Sequence, residues 1–149
     1  MIYLRYMSNE RPSYVIVVML NEKEHVVLSR TNEQYGFPTI AVEWDETPME
    51  AALRWCNEAR QGAQVTMHQL SLLDFEGYDQ AEYSTVLIRL TNTQWANASD
   101  CQHRIHCMSP EYLSTFQSRY PESFESQVAS LYHLGIHVMR KIQATKRVI

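Results

Sequence analysis

YGFPTIAVEWDETPMEAALRWCNEARQGAQV, residues 35–65, carries the densest run of structural punctuation in the chain. Gly36 and Pro38 break regular structure and mark a loop. Thr47 suits the N-cap of a helix, and Pro48 suits its first helical position. Glu50 follows Thr47 by three residues, which completes a capping box. Met49, Ala52, Leu53 and Cys56 then recur at helical spacing and form an apolar stripe. Gly62 is the expected stop. The stretch predicts a loop that feeds one capped, amphipathic helix.

Working outward, SYVIVVML (residues 13–20) is β-branched and apolar, as a buried strand requires. NEKE makes a polar turn, and HVVLSRT (25–31) completes a hairpin. NEQYGFP (32–38) is expected to be a loop. AQVTMHQLSLLDFEG (63–77) predicts one or two strands, EYSTVLIRLTN (82–92) another, and HRIHCM (103–108) a short one. SPEYLSTFQSRY (109–120) starts a helix, with Ser109 as N-cap and Pro110 behind it. PESFESQVASLYHLGIHVMRKIQATK (121–146) predicts a long final helix with Phe124, Val128, Leu131, Gly135 and Val138 near one face. Strands, helix, strands, helices make a mixed α/β domain.

The 149 residues suit a single domain over residues 1–149 with its own core. Four glycines and five prolines argue against long disordered tracts. A net charge of −4 leaves no electrostatic footprint for nucleic acid. The locally basic end, with Arg140, Lys141, Lys146 and Arg147, suits a helix C-terminus. The longest apolar run is too short to cross a bilayer, and no signal peptide is legible. Three cysteines, Cys56, Cys101 and Cys107, without a secretory signal point to thiols in a reducing compartment. A cytoplasmic protein is expected.

The run from residue 14 to residue 65 resembles the Nudix hydrolase family. The two strands match, and GFPTIAVEWDETPMEAALRW matches the turn and the start of the Nudix box. Glu46 and Arg54 are separated by the expected seven residues. CMSPEYL (107–113) is similar to the usual close of the domain. The resemblance implies a Nudix-like mixed sheet sandwiched between helices. In the family, glutamates one, four and five positions after the arginine share a helix face. They bind magnesium ions that neutralise a diphosphate and activate a water. Here those positions hold Trp55, Glu58 and Ala59, so one of the three carboxylates remains. The paired glycines before the box become Thr39 and Ile40. The box is degenerate.

Two functional classes follow from that resemblance. One is a chain impaired in Nudix hydrolysis that binds a nucleotide-like ligand or a protein partner, with a homodimer as one form. The other is an active hydrolase of a nucleoside diphosphate derivative that holds Mg2+ or Mn2+ with Glu58 and the substitutes Glu46 or Glu50. Glu50 also has a local use, capping the helix and pairing with Arg54 at i,i+4. Asp74, Glu76, Asp79 and Glu82 are further candidate acids. Arg54, Trp55, Trp44, Phe37 and Arg30 are the candidate pocket residues, with Tyr35 nearby. Aromatic walls stack planar ligands, although Trp55 equally fills space left by lost carboxylates.

Other constellations are weaker. Cys101, His103, His106 and Cys107 are zinc-type ligands, but their spacing lacks two separated pairs. Cys56 with His68 suggests a nucleophile and base, yet Cys56 lies on the core stripe. His133 and His137 are one helical turn apart without the glutamate of a metalloprotease helix.

Overall fold

β1 (Ser13–Asn21) is the centre of the molecule, because its apolar run is buried on both faces. The computed structural model describes residues 11–59, 64–98 and 105–148. β1 is followed by β2 (Val26–Thr31), β3 (Gln34–Gly36), β4 (Thr39–Ala41) and helix α1 (Pro48–Ala59). Then come β5 (Leu70–Gly77), β6 (Glu82–Leu90), α2 (Asn92–Ala98), β7 (Ile105–Met108), α3 (Pro110–Arg119) and α4 (Val128–Val148). Seven strands form one sheet in the order β3-β2-β1-β6-β5, with β4 on β1 and β7 on β2. β1 and β6 run parallel from Ser13↔Glu82 to Asn21↔Leu90, and the other pairs are antiparallel.

Alternation along β1 divides the core. Val15, Val17 and Met19 pack with Ala51, Ala52 and Cys56 of α1. Ile16, Val18 and Leu20 pack with Leu113 of α3 and Val128, Leu131 and Ile136 of α4. The sheet is therefore covered by helices on both faces, as expected. Gly135 lets α4 lie close: a Cβ there would sit 3.1 Å from Val18 Cγ1.

Several local expectations change. The expected loop at 32–38 contains β3, because Asn32 and Glu33 both adopt positive φ (52° and 66°). That makes a tight two-residue hairpin turn between β2 and β3. Residues 39–41 pair with β1 as β4. The final helix begins at Val128, not residue 121. Pro121 opens a short 3-10 turn, and Phe124 drops into the core beside Tyr35. α2 went unforeseen, although Thr91 and Gln94 cap it reciprocally. Gly62, Cys101 and His103 lie outside the described residues. No helix among the described residues is long and apolar enough to cross a membrane.

Candidate functional site

The start of α1 is built as the sequence indicates. Thr47 Oγ1 accepts from the Glu50 amide at 3.1 Å, and Glu50 Oε1 accepts from the Thr47 amide at 2.9 Å. This fixes the loop that precedes the helix. It also changes one expectation, since the Glu50 carboxylate turns back to the cap rather than forward to Arg54. Arg54 instead grips Glu46 across the loop. Its Nη2 donates to Glu46 Oε1 at 2.7 Å and its Nε to Oε2 at 3.2 Å. Glu46 Oε1 also accepts from the Glu43 amide at 3.0 Å. The Arg54 guanidinium holds the Glu46 carboxyl below its ordinary pKa, and Glu46 raises that of Arg54 in return.

Beside this loop lies a cavity of about 1000 Å³ between the α1 approach, the starts of β1 and β6, and the later part of β5. Trp44, 46% exposed, lines it with Val42 and Met49. Leu72 and Phe75 of β5 face them. Residues three apart on a regular strand point to opposite faces. A β-bulge between Leu72 and Asp74 brings both into the cavity. Arg11 closes the rim through a 2.7 Å ion pair with Glu82 and a hydrogen bond to the Tyr78 carbonyl.

The expected pocket residues are thus dispersed. Trp44 and Glu46 line the cavity. Trp55 packs against the α1-side core, and Phe37 is buried in the opposite core. Arg30 is exposed on β2, with its guanidinium 5.3 Å from the centre of the Tyr35 ring. Tyr35 sits among His106, Phe116 and Phe124, away from the cavity. Of the candidate acids, Glu82 reaches the cavity, while the Glu76 carboxylate accepts from the Tyr78 hydroxyl. Cys56 is buried, and exposed His68 bonds Thr66 Oγ1 instead, so the two do not form a catalytic pair. His133 and His137 are both exposed on α4. Arg11, Leu72 and Phe75 are among the lining residues that sequence reasoning missed.

No protein-family model and no curated protein matches the chain. Solved structures do. A NUDIX-family hydrolase from Clostridium perfringens superposes with a TM-score of 0.62 at 11% identity, over 87% of this chain and 98% of that one. MutT from Aliivibrio salmonicida and Vibrio cholerae matches with a TM-score of 0.55 at 14% identity, over 85% and 97%. The chain has the Nudix fold. An ADP compounds hydrolase matches too, with a TM-score of 0.59 at 15% identity, over 89% and 75%.

The Nudix fold makes the donor set around the box the natural test for a divalent metal. Glu58 is 71% exposed, and it pairs with Arg54 Nη1 at 3.9 Å. Both Glu46 oxygens are engaged by Arg54, and Glu50 Oε1 is engaged by the cap. Trp55 offers no ligand. No group of three His, Cys, Asp or Glu side chains among the described residues is arranged to hold a metal ion. Magnesium requires several hard oxygens in near-octahedral array. The residues as placed do not fit one.

Proposed function

We propose that this Nudix-fold chain binds a nucleotide-like ligand without metal, in the cavity beside the box, and is impaired in diphosphate hydrolysis. The observation that carries this reading is the cavity itself. Two half-exposed aromatic side chains, Trp44 and Phe75, line it next to a glutamate that an arginine already occupies. Aromatic faces suit a planar base, and few polar groups are needed to orient it. Losing box carboxylates removes the ligands that would hold the metal ions whose positive charge stabilises a leaving diphosphate. The ADP compounds hydrolase among the structural neighbours supports the ligand class. The degenerate box and the odd cysteine count are in keeping with a cytoplasmic binding protein.

Calorimetric titration with ADP in the presence of a chelator tests the reading. Saturable heat that falls in both Trp44→Ala and Phe75→Ala is expected. Heat that appears only with added Mg2+ contradicts it.

A second reading is an active hydrolase in which Glu58, open to solvent, recruits a further acid once substrate phosphates supply ligands. Its mark is metal-dependent turnover. A protein partner or a second copy is favoured by β5, an outer strand that exposes Leu72 and Phe75, with exposed Tyr78 just beyond its end.

A further inference from the structure

On another part of the molecule, the C-terminal end of β6 faces the last turns of α4 across a cavity of about 660 Å³. Arg89 projects from β6 into this region. Its backbone carbonyl accepts from Gln69 Nε2 at 2.7 Å, and its Nη2 donates to the His68 carbonyl at 2.5 Å. These contacts pin the arginine to the 3-10 turn before β5. Its Nε is buried and has no hydrogen-bond partner among the described residues. No described carboxylate forms an ion pair with it. Burial lowers its pKa.

A partly buried guanidinium without a described counter-charge carries a desolvation cost, and protein interiors normally pair one. Here the described lining adds a second cation, hydrogen-bonding groups and one exposed acid. Lys146 and Gln143 from α4 line the cavity with Arg89, His68 and Thr91. Glu22 is the one carboxylate on the lining among the described residues, and it is exposed. Arginine presents a planar fork of donors that matches tetrahedral oxyanions, and lysine adds a point charge.

We propose that Arg89 and Lys146 form a binding site for a phosphate group, as the free ion or as the phosphomonoester of a small molecule. The site is separate from the cavity beside the box and does not depend on the function proposed for that cavity. The cavity has room for more than the ion, which makes a phosphomonoester the preferred occupant. Glu22 at the rim opposes the bound charge and limits affinity.

The test is calorimetric titration of the full chain, at constant ionic strength, with inorganic phosphate, glycerol phosphate and glycerol. Saturable one-site binding of phosphate is expected, tighter for glycerol phosphate and absent for glycerol. Lys146→Gln weakens it by about tenfold or more, the loss of one charge-assisted contact. Glu22→Gln tightens it, a change that unfolding cannot imitate. Both positions are exposed, so these variants carry the test, with Arg89→Gln as support. Phe75→Ala in the other cavity leaves phosphate binding unchanged. Absence of saturable binding by either phosphate compound overturns the proposal. So does affinity that is the same in wild type, Lys146→Gln and Glu22→Gln.

Discussion

Replacing Glu46 by Gln separates a structural glutamate from a metal ligand. The side chain keeps its shape and loses its charge. Glu46 is 12% exposed and Arg54 32%, so the pair lies between a surface ion pair and a buried one. Exposed pairs contribute about 0.2–1 kcal/mol, whereas breaking a buried pair costs about 3–5 kcal/mol. The two-pronged geometry and the Glu43 amide favour a value near 1–2 kcal/mol, roughly the worth of a hydrogen bond to a charged group. For a chain of this size that lowers Tm by about 3–6 °C. The pH dependence follows from the lowered pKa of Glu46. A carboxylate with a depressed folded pKa stabilises above its unfolded pKa, about 4.3. That stability is lost as pH falls through the folded value. The gap between wild type and Glu46→Gln is therefore full at pH 7 and closes on acidification below about pH 4. Denaturant unfolding of wild type, Glu46→Gln, Arg54→Met and the double variant, at pH 7 and pH 3, measures it. A coupling energy near zero at pH 7, together with loss of Mn2+ binding in Glu46→Gln, would refute the assignment of Glu46 to Arg54.

Other outcomes follow from the same packing. Tyr132 donates to the Glu24 carbonyl at 2.7 Å, and burial pushes its pKa to about 12. Between pH 10 and 12 the unfolded chain loses this proton first, so wild-type stability falls with pH by up to about 1.4 kcal/mol per unit. Tyr132→Phe loses about 1 kcal/mol at neutral pH but shows a shallower alkaline decline in denaturant unfolding. Gly135→Val forces side chain into the space held by Val18 and Leu20, and costs about 1–3 kcal/mol or more by thermal unfolding. Iodoacetamide modifies exposed Cys107 well before buried Cys56 in the native state, as peptide mapping by mass spectrometry will show.

The features legible in the sequence are those written in short-range chemistry. The Thr47–Glu50 capping box, the Ser109 cap and the apolar run of β1 each declare themselves within a few residues. What escaped depends on partners far along the chain. β4 is three residues long and exists because β1 offers it an edge. The Thr91–Gln94 box of α2 was present in the sequence, but the strand before it runs directly into the cap. At the site, Glu46 and Arg54 were legible by spacing, whereas their mutual occupation needed the fold of the loop. Phe75 could not be found by alternation, because the bulge in β5 reverses its face. Phe37 and Tyr35 follow the same logic in the opposite sense. Although close to the box in sequence, both pack on the far side of the sheet.

The central claim, that a ligand site has outlived the metal chemistry, meets its most direct test in one titration. Purified protein is titrated with Mg2+ and Mn2+, with and without a panel of nucleoside diphosphate derivatives, while heat and released phosphate are followed together. The account predicts ligand heat that needs no metal and is accompanied by no turnover. Metal-dependent phosphate release that disappears in Glu58→Gln would contradict it, and would mean that the box has been rebuilt around its remaining glutamate.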